Sequence, residues 1–190
     1  MGRSDAWARD NIEAVAREHR VCPFEFSLDL ALWADLVICD YNYAFDPRVY
    51  LKRFFDESSD DYLFLIDEAH NLVDRAREMY SAELTKEKIM SVKRALPKWN
   101  EALIKALEKM NKVFLTWSKT CEKDGYFVDY NPPDEIYPQV RKFLELAEDW
   151  LLENQAAECY EEVLELYFES MRFMRIYEIY DDCYISLYER

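Results

Sequence analysis

Two short, mostly apolar runs, Asp35–Cys39 and Tyr62–Ile66, constrain this chain more than any other feature. Both read as strands of a buried parallel sheet, because strands covered on both faces run apolar instead of alternating. Asp46-Pro47 predicts the start of a helix, with proline at its first position, running through Val49, Leu51 and Phe54. A polar loop, Asp56 to Asp60, leads into the second run, and another helix is expected to begin near Asn71. Residues 35–80 therefore read strand, helix, strand, helix, a fragment of a parallel α/β sheet. Two strands cannot bury both faces of a sheet or satisfy both of its edges. The rest of the sheet is expected to lie outside this piece.

The remainder reads as helix. Only 2 glycines and 6 prolines occur in 190 residues, against a loop-rich all-β protein. Ser4 can cap a helix from Asp5 to about His19, with Ala8, Ile12, Val15 and Ala16 on one face. A short helix is expected through Leu28 to Trp33. Thr85 caps a helix to about Leu96. After Pro97, Leu103, Leu107, Met110, Phe114 and Trp117 recur at three- and four-residue steps. Asp124-Gly125 is a turn signal, Tyr126–Val128 a short β segment, and Asn131-Pro132-Pro133 a linker. Two long helices are expected over Asp134–Glu153 and Ala156–Tyr180, the second with a wide apolar and aromatic face that reads as core. Cys183–Tyr188 can form a strand, after which the chain stops with no cap or turn signal. The expected class is mainly α: a helical domain plus a small α/β piece.

The N-terminus is charged and lacks the apolar segment of a secretory signal, and no run of 18 apolar residues occurs. These features predict a cytoplasmic protein without a membrane span. The formal charge is -15, which repels polyanions on average, but it is unevenly spread. From Lys86 to Lys123 ten Lys/Arg face four Asp/Glu, and from Glu145 to Arg190 three face thirteen. Either the basic segment faces a polyanion, or the two segments pair with each other or present solvated helix faces. Five cysteines, Cys22, Cys39, Cys121, Cys159 and Cys183, contain no CxxC pair. A self-contained zinc site is not expected, free thiols are, and Cys39 is expected in the core.

The second apolar run leads into Asp67-Glu68-Ala69-His70. An Asp at the end of a buried strand can hold Mg²⁺, directly or through water, and the adjacent Glu can orient or deprotonate a water. That is half of a nucleotide-hydrolysis site. The other half is a glycine-rich loop with Lys-Ser/Thr that cradles the phosphates. Neither Gly2 nor Gly125 is followed by Lys, so the chain alone is expected neither to hold ATP well nor to hydrolyse it. The alternative for Asp67 and Glu68 is the first turn of a helix, where acids complement the dipole.

Here the sequence resembles a family. "DYLFLIDEAHNLVDRA" resembles the Walker B (DEAH-box) motif of superfamily 2 helicases. "ADLVICDYNYAFDP", Ala34 to Pro47, is similar to the segment preceding that motif in the XPD/DinG-like iron–sulfur DNA helicases. "HRVCPFEFS" resembles the end of their iron–sulfur domain. Residues 81–190 have the length and helicity of the Arch domain inserted after Walker B.

The resemblance implies three regions. These are 1–34, the tail of an iron–sulfur domain; 35–80, a fragment of a RecA-like motor domain 1; and 81–190, an Arch-like domain. It implies that Asp67 binds Mg²⁺ with ATP, that Glu68 positions the attacking water and that His70 couples nucleotide state to the DNA side. Cys22 would be the last ligand of a [4Fe–4S] cluster. The first three cluster cysteines, the Walker A loop and a second motor domain are not in this sequence. The implied whole is a 5′-to-3′ ATP-dependent helicase of DNA repair or replication. Its partners would be single-stranded DNA and the remaining helicase domains, and no cofactor is expected to stay stably bound to the fragment.

Lys98, Lys105, Lys109 and Lys112 are the candidate DNA contacts. Two other readings stay open. One is a helical interaction or nucleic-acid-binding module without ATPase activity. The other is a metal hydrolase using Asp67, Glu68 and His70, against which stands the lack of a second ligand cluster.

Overall fold

The computed structural model describes residues 7–47, 52–55, 62–121 and 125–190, which divide into two units between Asp67 and Glu68. In the first unit, helix α1 (Arg9–His19) stops at Arg20, whose left-handed backbone (φ 55°) lets the Val21 N–H donate to the Ala16 carbonyl at 3.0 Å. Trp7 and Ala8 precede the helix, and the expected cap Ser4 and start Asp5 lie outside the described residues. Helix α2 (Pro23–Ala31) begins earlier than expected, with Pro23 at its first position, where proline forfeits no helical hydrogen bond. Leu32 and Trp33 sit in the turn that ends it. Ala16 and Leu28 are buried, and Trp7 meets Phe26 edge-on with ring centroids 6.3 Å apart.

The two runs expected as strands are not strands. Residues 36–40 and 62–66 carry no regular structure, and Ile38, Leu63 and Leu65 are 91%, 88% and 88% exposed. The reason is physical: a strand needs a neighbour for its backbone groups, and the described part of this unit offers none. Cys39, expected in the core, is exposed for the same reason. The second run is held by rings instead. Phe64 lies 5.6 Å from Phe45 and 6.2 Å from Phe55, Tyr62 lies 5.4 Å from Phe55, and the Tyr62 hydroxyl donates to the Phe54 carbonyl at 2.8 Å.

A helix not expected from the sequence ends just before Pro47. Helix α3 (Asn42–Phe45) starts where the Asp40 carboxylate accepts the Asn42 N–H at 2.8 Å. It stops at Asp46, whose extended backbone (ψ 118°) is what a following proline imposes. Helix α4 spans Lys52–Phe55. Val49, Leu51 and the loop from Asp56 to Asp60 lie outside the described residues.

The second unit is helical and carries the larger core. A 3₁₀ turn (Ala69–Asn71) leads into α5 (Leu72–Met79). Helices α6 (Lys86–Ala95), α7 (Glu101–Thr120), α8 (Tyr137–Glu153) and α9 (Tyr160–Glu178) follow, each packed on the next, with α6 also against α9. Thr85 caps α6 as expected, its hydroxyl accepting the Lys88 N–H at 3.4 Å. Ile89, Leu107, Met110, Val140, Phe143, Val163 and Leu166 are fully buried at the spacing of one face per helix. Each stabilises the unit by about 1.5–3 kcal/mol on burial. Helix α7 begins at Glu101 rather than Pro97, and α9 at Tyr160 rather than Ala156, both after turns. The Arg172 guanidinium of α9 donates to the Glu78 carbonyl, and at 2.8 Å to the Ser81 carbonyl, tying down the C-terminal end of α5.

The sheet found among the described residues pairs β1 (Tyr126–Asp129) with β2 (Ser186–Glu189), antiparallel, Phe127 opposite Tyr188. Gly125 precedes β1 at φ 77°, a conformation that strains any residue with a Cβ. The fold is mainly α, as expected. No described helix is long and apolar enough to cross a membrane.

Candidate functional site

The DEAH stretch forms an exposed turn. Asp67 and Glu68 occupy the turn itself, and Ala69, His70 and Asn71 form the 3₁₀ segment. Glu68 has φ 50° and ψ 35°, a left-handed backbone at a residue that is not glycine. Such a conformation costs on the order of 1–3 kcal/mol and concentrates at functional sites. It reverses the chain so that the Glu68 carbonyl accepts the Asn71 N–H at 2.9 Å. The His70 Nδ1 sits 3.3 Å from Glu68 Oε2, with both side chains largely exposed. The structure therefore brings Glu68 and His70 together, while Asp67 stands beside them in the chain as an exposed carboxylate. The left-handed Glu68 carries no sequence signal, because glutamate gives no hint of positive φ.

Cys22 is exposed and immediately precedes Pro23 at the head of α2. Cys121 and Cys159 are buried, and Cys183 is exposed. Burial pushes the Cys159 thiol up, against thiolate formation. Among the described residues no group of three His, Cys, Asp or Glu could hold a metal ion.

The candidate lysines divide. Lys105 on α7 bonds Glu101 one turn earlier at 2.9 Å. Lys109 and Lys112, also on α7, and Lys98 ahead of it are exposed and make no ion pair among the described residues. The basic and acidic segments also meet directly. Lys88 on α6 reaches Glu169 at 2.6 Å and Glu165 at 3.0 Å on α9, and these hydrogen bonds raise its pKa against the opposing effect of burial. Lys93 bonds Glu108 at 2.8 Å, holding that carboxyl below its ordinary value. Pairing between the segments at Lys88 thus offsets part of the charge asymmetry, the Lys93–Glu108 pair lies within the basic segment, and Lys98, Lys109 and Lys112 stay exposed without an ion pair among the described residues.

Comparison with known proteins places these features in context. Residues 2–89 match the family model DEAD_2, which takes in Cys22, both apolar runs and the whole DEAH turn. The chain is similar to the Fanconi anemia group J protein homolog of Gallus gallus, 30% identical over 91 residues, 48% of this chain and 7% of that protein. It is similar to the general transcription and DNA repair factor IIH helicase subunit XPD of Schizosaccharomyces pombe, 25% identical over 118 residues, 62% of this chain and 14% of that one. It also matches the human regulator of telomere elongation helicase 1, 34% identical over 68 residues, 36% of this chain and 5% of that protein. The chain thus spans well under a fifth of the length of these curated relatives. No solved structure gives a significant match.

Proposed function

We propose that residues 2–89, which match the DEAD_2 family model, carry a segment of an XPD/DinG-like superfamily 2 helicase, and that the chain contributes the Walker B half of an ATP-driven DNA helicase together with a helical Arch-like domain. The observation that carries this reading is the turn at Glu68. A strained, left-handed glutamate beside an exposed aspartate, in contact with a histidine, lies inside the matched segment. An ordinary helix start needs none of that strain.

Mg²⁺ in such sites takes one or two carboxylates and completes its shell with water and substrate phosphates. The single exposed carboxylate of Asp67 suits that half-share, and Mg²⁺ with ATP, when bound, would neutralise charge on the transferred phosphoryl group. Glu68 is the group that orients a water and accepts its proton. His70, 3.3 Å away, holds the Glu68 carboxylate and links it to the 3₁₀ segment. A phosphate-cradling loop has to come from sequence beyond these residues, since no glycine here precedes a lysine. A [4Fe–4S] cluster needs four ligands. Cys22 offers one, and no cluster among the described residues supplies the rest, so the group does not fit this chain by itself.

The proposed regions are 1–34, 35–80 and 81–190, with the Arch-like assignment supported by the helical bundle after α5. Single-stranded DNA is the proposed substrate. Lys109 and Lys112, one turn apart and unpaired among the described residues, are its proposed phosphate contacts, with Lys98 nearby in the chain. Lys105 contributes less, because Glu101 already holds it.

In a full-length protein containing this chain, Glu68→Gln should reduce DNA-stimulated ATP hydrolysis at least about a hundredfold while ATP binding and melting temperature stay put. Normal turnover in that variant would overturn the assignment. Reversing Lys109 and Lys112 to Glu should weaken single-strand binding and flatten the slope of log affinity against log salt by about 1.4. An unchanged slope would make them solvated residues only.

A further inference from the structure

The second unit holds a cleft that the helicase reading does not use. It opens where the C-terminal end of α7, the β1–β2 ribbon and the Pro132-Pro133 linker meet, with a volume of about 250 Å³. Three aromatic rings wall it: Trp117, Phe127 and Tyr188. Tyr188 is their centre, 4.7 Å from Trp117 and 5.7 Å from Phe127 between ring centroids. Three carboxylates, Asp129, Asp134 and Glu135, also line it, and no lysine or arginine does among the described residues.

Two of the carboxylates are fixed in place. Asp129 Oδ1 accepts the Asn131 N–H at 2.9 Å and its side-chain amide at 2.8 Å, which holds the Asp129 carboxyl below its ordinary value. Asp134 Oδ1 accepts the Tyr177 hydroxyl at 2.5 Å. Glu135 makes no ion pair among the described residues. The Tyr188 phenol registers the surroundings: burial pushes its pKa up, and the Asp129 and Glu135 charges add to the rise.

Aromatic faces attract cations, most strongly at tryptophan, and carboxylates at the rim add a second attraction of the same sign. Between the two cationic side chains, arginine fits better. Its flat guanidinium stacks on a ring while its edge donors reach carboxylate oxygens in a fork, which an ammonium cannot do. The volume suits one side chain and is below that of a drug-sized ligand site. We propose that this cleft binds an arginine side chain presented by a basic peptide segment of a partner protein, with the guanidinium against Trp117 and Tyr188 and its donors on Asp129, Asp134 and Glu135. The strong negative charge of residues 145–190 attracts such a segment from a distance.

The test uses the 190-residue chain and a fluorescein-labelled Gly-Ser-Arg-Gly-Arg-Gly-Ser peptide at 150 mM salt. Anisotropy should show saturable binding. The same peptide with citrulline for arginine, equal in shape but uncharged, should bind about tenfold more weakly, or about 1.4 kcal/mol, and the lysine peptide should fall between. Glu135→Lys should weaken the arginine peptide about tenfold. Glu161→Lys, an equal charge change on α9, should leave it within about twofold. The Trp117 indole signal, assigned with Trp117→Phe, should shift on titration while that of Trp99 does not. Equal loss in Glu135→Lys and Glu161→Lys would reduce the effect to overall charge and overturn the proposal. So would equal binding of the citrulline peptide, or an unmoved Trp117 signal.

Discussion

The two units hold similar kinds of apolar residue and spend them differently. In the second, Leu107, Phe143 and Leu166 face one another from neighbouring helices and lose all exposure. In the first, Ile38, Leu63 and Leu65 stay almost fully exposed, and the buried apolar residues described there are Ala16 and Leu28. Hydrophobicity is not what separates them. A helix satisfies its own backbone and needs only a face to pack against, whereas a strand needs a neighbour before it can bury anything. The second unit contains its own partners. The first holds apolar runs suited to a sheet, pairs no strands among its described residues, and has aromatic contacts among Phe45, Phe55, Tyr62 and Phe64 there instead.

That contrast can be broken by substitution. The largest effect is expected at Phe143. Phe143→Ala empties a fully buried position and should cost about 3–5 kcal/mol in urea denaturation of the second unit. Leu63→Ala, at an 88% exposed site, should change stability by less than about 0.5 kcal/mol. A comparable cost at both positions would mean that the first unit has a core of its own.

A smaller effect is expected at Tyr177, whose hydroxyl donates to Asp134 and whose pKa is pushed up to about 12, chiefly by that hydrogen bond. The folded pKa lies above the ordinary value of 10, so the native state keeps a proton that the unfolded chain gives up. The bond stabilises fully below pH 10, and that contribution is lost as pH rises from 10 through 12. Tyr177→Phe should make alkaline unfolding less steep across that window, followed by circular dichroism. The smallest effect is expected at Lys88. Its pairs with Glu165 and Glu169 are partly exposed, so Lys88→Met should cost less than about 1 kcal/mol. High salt should shrink that difference, and an undiminished cost in 1 M salt would mean that the lysine stem, not its charge, holds α6 to α9.

The DEAH turn lies between these extremes. Its residue types were legible in the chain: an aspartate and a glutamate directly after an apolar run, then a histidine two positions on. The contact between Glu68 and His70 and the left-handed backbone at Glu68 were not legible, because they depend on how the turn closes. Pro47 is also ambiguous in the sequence. Its fixed φ suits either the first position of a helix or the residue just past one; the Asp40-capped helix ends just before it, and the residues directly after it lie outside the described ones. Of the four candidate lysines, sequence could not separate Lys105, which Glu101 holds, from Lys109 and Lys112, which face solvent.

The sequence by itself determined the helices that carry the bundle. The three- and four-residue spacing of Leu103, Leu107 and Met110, the Thr85 cap and the proline at the start of α8 act within a few residues of themselves, and helical hydrogen bonds are equally local. Tertiary structure alone decided the strands. Tyr126 found Glu189 across most of the second unit, while Asp35–Cys39 and Tyr62–Ile66 form no strand pairing among the described residues. Pairing between strands is a contact between distant parts of a chain, and no short stretch of sequence contains both sides of it.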